Sequence, residues 1–369
     1  MSDDASFMRL ALALGRRGLG TTWPNPSVGA VVVEPGTGRI LGTGATAPGG
    51  RPHGEPLALA EAGAAARGAT LYVTLEPCSH HGRTPPCTDA ILAAGIARVV
   101  SAVEDPDSRV AGRGHARLRA GGVIVETGLM REAASRDHIG HITRVTRGRP
   151  AVHLKLARTR DGFCAGAGPE RLRITGPVAD GAVHLWRAHA DAILIGIGTA
   201  RADDPSLTVR LPGLGARSPL RIVLDSHLML SPASVLARTA RDTATLVLTT
   251  RSAPAHARRA LEALGVEIAL LPADVAGRVE LPTALAHLGE RGLTRLCTEG
   301  GPRLADALAR ADLIEACTLV TGPAELGAAG GLKALGPDLT GALADPKRFR
   351  VAERLQLWPD EAATYEKVS

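Results

Sequence analysis

Apolar and polar positions recur in short, regular runs from the first residues of the chain, and they predict helices mixed with strands. Residues 1–18 place apolar side chains at helical spacing between arginines, which predicts an amphipathic helix. Residues 27–46 contain two β-branched runs around a Pro/Gly turn and predict a β-hairpin. The Ala/Leu-rich residues 57–67 predict a helix that begins near Pro56 and stops at Gly68.

The same alternation continues to the end of the chain and predicts an α/β fold in which helices cover a sheet. A helix is predicted at 88–95, and further strands are predicted at 71–75, 97–105, 121–128, 151–157, 191–198, 219–226, 244–250, 266–272 and 294–301. A basic, polar stretch at 144–150 contains Gly148 and Pro150 and interrupts the pattern. It predicts a boundary between a domain at 1–146 and a domain at 149–369.

Composition narrows the classes of protein that fit this pattern. A chain of 369 residues exceeds the roughly 100–200 residues of one domain, in agreement with two domains. Aromatic residues are 2% of the chain, so few side chains could stack on single-stranded nucleic acid. The net charge of +6 comes mostly from arginines and favours anionic partners such as phosphates, without distinguishing a phosphorylated metabolite from a nucleic acid. The basic residues are scattered and form no run typical of a nucleic-acid arm, so a solvated basic surface is the alternative. No secretory leader or membrane span is recognised, so a cytoplasmic location without a membrane partner is expected.

The most informative chemical pattern is a His-Gly-Glu triplet followed by two cysteines. His53, Cys78 and Cys87 form a set of one imidazole and two thiolates that is typical of a catalytic zinc site with an open fourth position. Glu55 follows the histidine by two residues and is the predicted proton carrier beside the metal, in the order found in zinc deaminases. The alternative is a surface histidine and glutamate at a helix start, with two ordinary cysteines.

Two longer strings tie this pattern to one family. TLEPCSHHGRTPPC, which separates Cys78 from Cys87 by eight residues, and NPSVGAVVV at 25–33 resemble the bifunctional riboflavin-biosynthesis deaminase/reductase family. The resemblance implies a cytidine-deaminase-like three-layer sandwich with Zn²⁺. It further implies that Asn25, His80 and Arg83 contact the substrate, with Arg83 offering a cation to a ribose phosphate.

The first half departs from the family pattern at two positions. Gly54 stands where the family usually has alanine between the metal histidine and the glutamate. Thr46 stands where the family has a substrate-contacting histidine. The substrate contacts near Thr46 are therefore expected to differ, whereas the metal chemistry is expected to be unchanged.

The second half resembles the reductase domain of the same family, which has a dihydrofolate-reductase-like α/β fold and uses NADPH. The strings HLKLARTRDG, HLWRAHADAILIGIGTARADDPSLTVR and TEGGPRLADAL carry the resemblance. It implies substrate contacts from Lys155, Arg187, Leu207, Arg210 and Glu299. It implies NADPH contacts from Ala157, Thr199, Asp203, Ser226, Gly301, Pro302, Arg303, Leu304, Ala305, Asp306 and Ala307.

The residues of the second half, taken without the resemblance, leave alternatives open. The strand, glycine turn and helix at 294–307 could cradle a phosphate, but such a turn is equally compatible with a purely structural role. Lys155, Arg187 and Arg210 could be solvated surface cations. Family members commonly carry Ser-Leu-Asp-Gly where this chain has Thr-Arg-Asp-Gly at 159–162, and a serine and a tryptophan where it has Arg171 and Arg173, so cofactor affinity is expected to differ.

These inferences combine into one functional hypothesis with two competitors. A zinc site would deaminate a phosphorylated pyrimidine metabolite, 2,5-diamino-6-(5-phosphoribosylamino)pyrimidin-4-one, and NADPH would then reduce its ribosyl group to ribityl. The resemblance also implies a homo-oligomer. The competitors are a nucleic-acid adenosine deaminase, against which the long insertion between the cysteines argues, and a deaminase with a catalytically weak or silent second domain.

Overall fold

The structure, a computed structural model, describes residues 4–82, 85–168 and 172–368. The chain divides into two compact units. The first runs to Pro150 and includes Gly292–Thr294, and the second comprises Ala151–Arg291 and the chain from Arg295 onward. Both units are α/β structures, as predicted.

In the first unit, helices alternate with strands after an initial hairpin. The elements are α1 (Asp4–Arg16), β1 (Gly29–Val33), β2 (Ile40–Ala45), α2 (Gly54–Ala62), β3 (Thr70–Val73), α3 (Cys87–Ala93), β4 (Arg98–Ser101), α4 (Arg113–Ala120), β5 (Ile124–Thr127), α5 (Arg131–Asp137) and α6 (Ile139–Arg147). Among the described residues the strands form one sheet in the order β2-β1-β3-β4-β5. The hairpin is antiparallel, and β3, β4 and β5 run parallel.

Glycines on the hairpin bring one helix against each face of this sheet. A Cβ at Gly29 would lie 1.8 Å from the Ala11 carbonyl oxygen of α1. A Cβ at Gly44 would lie 2.1 Å from the Gly54 carbonyl oxygen of α2. Gly29 pairs with Ala45, so Gly44, the next residue along β2, faces the opposite side of the sheet. Helix, sheet and helix therefore form the three layers expected for this unit.

Two helix boundaries differ from the sequence prediction. Helix α2 ends at Ala62 rather than at Gly68, because Gly63 adopts φ 55° and starts a 3₁₀ turn. The basic stretch predicted as a linker is helical through Arg147, and α6 ends at Gly148, whose φ is 69°. Left-handed glycines end both helices.

The described part of the second unit contains the predicted strands and five further strands that were not predicted. The elements are β6 (Ala151–Arg158), β7 (Phe163–Gly166), α7 (Pro177–Ala188), β8 (Ala192–Gly196), α8 (Ile197–Asp203), β9 (Leu220–Leu224), α9 (Val235–Arg238), β10 (Thr245–Thr250), α10 (Ala255–Glu262), β11 (Glu267–Leu271), α11 (Leu281–Glu290), β12 (Arg295–Thr298), α12 (Pro302–Arg310), β13 (Ala316–Thr321), β14 (Gly330–Lys333), α13 (Pro337–Ala344), β15 (Phe349–Leu357) and β16 (Asp360–Lys367).

The described strands of this unit form a nine-stranded sheet and a two-stranded ribbon. The sheet order is β11-β10-β9-β8-β12-β6-β13-β16-β15, and the ribbon pairs β14 with β7. The strands from β11 to β13 run parallel, while β15 and β16 are antiparallel at one edge. The carboxyl ends of the parallel strands consequently share one edge, which is where ligands bind in open α/β sheets. No helix in the described part of the chain is both long enough and apolar enough to cross a membrane.

Candidate active sites

The start of α2 presents His53 and Glu55 together. His53 occupies the N-cap position with extended backbone, and Glu55 lies in the first turn with 3% of its surface exposed. Between them, Gly54 packs so closely that a Cβ would lie 2.7 Å from the Val28 carbonyl oxygen. Glycine at this position, where the family usually has alanine, therefore lets the helix start lie directly against the hairpin.

The two cysteines meet His53 at the start of α3. The Cys87 Sγ lies 3.2 Å from His53 Nδ1, and the Cys78 Sγ lies 3.8 Å from the same nitrogen. The Cys87 backbone N–H donates to Cys78 Sγ at 3.3 Å. The three predicted ligands thus converge, with one donor atom from each within 4.8 Å of the others.

Protonation in this cluster is strongly perturbed. A hydrogen bond from Cys87 lowers the pKa of the Cys78 thiol to about 4, and the same contact, together with burial, raises the pKa of Cys87. The hydrogen bond to Cys78 raises the pKa of His53. Burial raises the pKa of Glu55, and its Oε2 atom has no hydrogen-bond partner among the described residues. Perturbed groups gathered around a buried carboxylate with one unpartnered oxygen are typical of a catalytic centre.

The donor set fits a zinc ion. Zinc bonds to thiolate and imidazole place neighbouring S and N ligands about 3.5 Å apart in a tetrahedron. The observed separations of 3.2 and 3.8 Å lie on either side of that value. A divalent cation between the sulfurs would also replace the proton that Cys78 and Cys87 share.

The remaining predicted residues of the first site are placed as follows. Asn25 is partly buried, and its amide nitrogen donates to the Gly50 carbonyl at 2.8 Å. His80 is partly buried, and its Nδ1 has no hydrogen-bond partner among the described residues. Arg83 lies outside the described residues. Thr46 is buried, and its hydroxyl accepts the Val28 N–H at 3.0 Å, so its hydroxyl bonds the backbone of the strands.

In the second unit, a cavity of about 1520 Å³ opens at the carboxyl ends of the parallel strands. Many of the predicted substrate and cofactor residues line it: Lys155, Ala157, Arg187, Thr199, Asp203, Arg210, Ser226, Glu299, Gly301, Pro302, Arg303, Leu304 and Ala307. Three predicted residues do not line it. Leu207 and Ala305 are buried in the unit, and Asp306 accepts the Leu339 N–H at 2.9 Å beside the start of α13. The structure therefore gathers most of the predicted set at one place.

Arg187 and Glu299 form a two-point ion pair inside this cavity. Arg187 Nε and Nη2 donate to the two Glu299 carboxylate oxygens at 2.6 and 2.8 Å, and Nη1 donates to the Thr208 carbonyl at 3.1 Å. Burial opposes both charges, but the pair keeps the pKa of Glu299 below its usual range and that of Arg187 above it. Both side chains are therefore held in fixed positions before any ligand binds.

Two helix starts meet at the floor of the cavity. The Gly301 N–H donates to the Thr199 hydroxyl at 3.1 Å, which connects the turn before α12 to α8. Gly301 is the N-cap of α12, and Pro302 occupies its first turn. This strand, turn and helix arrangement directs backbone N–H groups at an anion.

The positions that depart from the family pattern have local partners. Arg173 lines the cavity and donates to Asp180 at 3.2 Å, while Arg171 lies outside the described residues. The Arg160 N–H donates to the Ala324 carbonyl at 2.8 Å, and the Thr159 hydroxyl donates to Asp161 at 2.6 Å. Asp161, which matches the family pattern, accepts the backbone N–H groups of Leu326 and Gly327 at 2.9 and 2.8 Å. It thereby ties the turn after β6 to a loop far along the chain.

His184 is a cavity residue that the sequence analysis missed. It lies one helical turn before Arg187, and its Nδ1 accepts the Arg210 N–H at 3.4 Å. Burial, with the charges of Arg187 and Arg210, lowers its pKa, so the ring is neutral at physiological pH. The i, i+3 spacing to Arg187 on a helix was the signal that could have identified it.

Comparison with known proteins connects both sites to one family. A family model described as "RibD C-terminal domain" matches residues 150–355, and one described as "Cytidine and deoxycytidylate deaminase zinc-binding region" matches residues 1–103. The chain is 40% identical to the riboflavin biosynthesis protein RibD of Escherichia coli K12, over 97% of this chain and 98% of that protein. Its identity to the RibD of Aquifex aeolicus is 38%, over 88% of each chain.

Solved structures agree over the whole length. The first crystal form of Acinetobacter baumannii RibD matches with a TM-score of 0.85 and 33% identity, over 99% of each chain. A Thermotoga maritima structure described as a diaminohydroxyphosphoribosylaminopyrimidine deaminase/5-amino-6-(5-phosphoribosylamino)uracil reductase matches with a TM-score of 0.83 and 33% identity, again over 99% of each chain. With a zinc-type ligand cluster in one unit and a lined cavity in the other, the chain belongs to the RibD family of bifunctional riboflavin-biosynthesis deaminases and reductases.

Proposed function

We propose that the two sites act in succession on one phosphorylated pyrimidine. The first unit removes an amino group from 2,5-diamino-6-(5-phosphoribosylamino)pyrimidin-4-one by hydrolysis, and the second uses NADPH to reduce the ribosyl group to ribityl. The proposal is carried by one observation, the convergence of His53, Cys78 and Cys87 beside the buried Glu55. Relatives that match almost the whole chain support it.

In the first site, His53, Cys78 and Cys87 would hold a zinc ion, and Glu55 would carry protons. Bound zinc supplies the Lewis acidity that makes water a nucleophile at neutral pH. Glu55 takes a proton from the attacking water, gives it to the ring nitrogen and then assists the departure of ammonia. Its position suits this work, because the carboxyl is buried beside the ligand cluster and its Oε2 atom has no hydrogen-bond partner among the described residues.

Three further side chains would orient the pyrimidine in this site. The Asn25 amide nitrogen is engaged by Gly50, which leaves its carbonyl oxygen to accept a hydrogen bond from the ring. His80 has an unpartnered ring nitrogen and would contact the substrate through it. Arg83 would bind the ribose phosphate.

In the second site, NADPH supplies the hydride and the cavity residues hold the reactants. Thr199, Asp203, Ser226, Ala157 and the turn 301–307 would hold the cofactor, with the turn's N–H groups at a phosphate. Lys155 and Arg210 would meet the anionic substrate, while the Arg187–Glu299 pair presents a fixed polar surface to its sugar. Leu207, which is buried, would support this wall from behind.

The competing hypotheses are not favoured. RibD relatives match both units together, which argues against a nucleic-acid adenosine deaminase. The second unit keeps a large cavity with its cations and glycine turn in place, which argues against a silent module. A homo-oligomeric assembly and the absence of nucleic-acid and membrane partners stay predictions.

A paired assay on Glu55→Gln tests the proposal. The wild-type protein should release ammonia from the diaminopyrimidine and should oxidise NADPH when given the deaminated product. Glu55→Gln should lose at least about 10²-fold in deamination, the usual contribution of a general acid–base group, and keep reduction. Glu61→Gln is the matched control, because Glu61 lies on the same helix but is exposed and bonds Thr43. Undiminished ammonia release by Glu55→Gln would refute the assignment.

A further inference from the structure

A second buried glutamate, Glu76, lies two residues before the zinc ligand Cys78. Its side chain has no exposed surface. Oε1 accepts the backbone N–H groups of Gly114 and His115 at 2.9 and 3.2 Å, and Oε2 accepts those of Asp105 and Gly112 at 3.2 and 3.0 Å. One carboxylate from the loop after β3 thus caps the start of α4 and holds both ends of the loop that precedes this helix.

This bonding excludes Glu76 from a metal site of its own. Glu76, Glu104 and His115 lie close enough together to suggest one. Each Glu76 oxygen, however, already accepts two N–H donors, so its lone pairs are used. Glu104 is exposed and bonds none of these donors. The carboxylate therefore has a positioning role.

The capped loop presses directly on the segment that carries Cys78. A Cβ at Gly114 would lie 2.1 Å from the Pro77 carbonyl oxygen, so the start of α4 touches the peptide before the ligand. On the other side, the Cys78 carbonyl accepts the Thr88 N–H and hydroxyl at 3.2 and 3.3 Å. Cys78 is consequently held from both directions, by the Glu76 cap and by α3.

We propose that Glu76 is a positioning residue for the metal centre: by fixing the start of α4 against Pro77, it places the Cys78 sulfur for zinc. The inference rests on the proposed function, since it assumes that Cys78 binds zinc. Glutamine at position 76 would replace one acceptor oxygen by an NH₂ group that faces two N–H donors. Two of the four hydrogen bonds that form the cap would therefore be lost. The Pro77–Cys78 peptide would lose its support, and the sulfur would no longer be fixed at its present distance from His53.

Metal affinity and cobalt spectra of the full-length protein test this role. Zinc is titrated into metal-stripped wild type, Glu76→Gln and Glu104→Gln in competition with a chromophoric chelator, and cobalt(II) is added in parallel to record its visible bands. We expect Glu76→Gln to bind zinc about 10–100-fold more weakly, as is usual for loss of a support around a metal ligand, with altered cobalt bands. Glu104→Gln should match wild type, with one ion per chain. Cooperative denaturant unfolding followed by circular dichroism reports whether the first unit of each variant is folded, since NADPH oxidation would report only the second unit.

The possible results separate this inference from the proposed function. Wild-type affinity and spectrum in Glu76→Gln would overturn the inference, as would loss of a second metal equivalent in Glu104→Gln. If Glu76→Gln does not fold, Gly114→Ala decides, because its Cβ would lie 2.1 Å from the Pro77 carbonyl oxygen and 3.0 Å from Glu76 Oε1, and so disturbs the contact and the cap without removing the carboxylate. Weakened metal binding in that variant supports the inference, and unchanged binding overturns it. A metal-free wild type that still deaminates would instead refute the zinc assignment itself.

Discussion

At the scale of single residues, the second unit contains a buried arginine that forms no ion pair with a carboxylate among the described residues. Arg221 on β9 is fully buried, and its guanidinium donates to the Ser206, Leu236, Thr239 and Thr243 carbonyls and to the Thr239 hydroxyl. Burial lowers its pKa to about 10. The side chain therefore connects the end of α9 to neighbouring turns by hydrogen bonds alone.

Arg221→Met should destabilise the protein by about 3 kcal/mol, because several buried carbonyls would lose their donor. Denaturant unfolding followed by circular dichroism measures the change. Arg241→Met is the comparison: Arg241 is exposed and donates to one carbonyl, so its loss should cost no more than about 0.5 kcal/mol. Equal effects of the two substitutions would show that the buried bonds contribute nothing specific.

His153 gives the second unit a dependence on pH. Burial, with the charge of Arg295, lowers its pKa from 6.5 to about 4, and its Nε2 lies 2.7 Å from the Thr318 hydroxyl. The unfolded chain takes up the proton first as pH falls, so stability that is present above pH 6.5 is lost towards pH 4. The difference in unfolding free energy between wild type and His153→Gln should shrink, or change sign, as the pH falls from 6.5 towards 4. Parallel curves would contradict the assignment.

At the scale of elements, the main-chain contact between α2 and β2 determines where the first site lies. Gly44→Ala would place a Cβ 2.1 Å from the Gly54 carbonyl and displace the helix start that carries His53 and Glu55. We expect a loss of about 1–3 kcal/mol in stability, with loss of zinc and of deamination, while reduction continues. Metal analysis and the paired assay measure these effects.

Gly181→Ala is the control for this substitution. Gly181 lies within α7, and a Cβ there meets open space. Alanine should be neutral or should stabilise the helix by up to about 1 kcal/mol. If Gly44→Ala behaves in the same way, the tight packing does not govern the site.

The elements also show what sequence patterns can and cannot predict. The hairpin, the central parallel strands and the ligand cluster follow from periodicity, turn residues and spacing. Helix α2 ended early because Gly63, inside an Ala-rich run, adopts a left-handed φ that composition alone does not reveal. The Arg187–Glu299 pair joins residues 112 positions apart, and the Glu76 cap joins residues up to 39 apart. Such pairs depend on the tertiary fold, which local pattern does not encode.

At the scale of the whole molecule, the two chemistries belong to different units and should respond separately to metal removal. Dialysis against a chelator should abolish ammonia release and leave NADPH oxidation on the deaminated product intact, because the proposed zinc ligands lie in the first unit. Added zinc should restore deamination. Chelator already saturated with zinc serves as the control. Loss of reduction together with deamination would mean that the metal also supports the second unit.

The glycine contacts of the hairpin limit which substitutions the first site can accommodate. At Gly44 the nearest atoms of α2 are all backbone atoms, so a change in neighbouring residues cannot be absorbed there by new rotamers. The His53 imidazole and the Glu55 carboxyl are therefore held in place by the close packing of the start of α2 against the strands. Changes to the pyrimidine pocket are therefore expected at loop positions such as Thr46, while the start of α2, which includes Gly54, keeps its position.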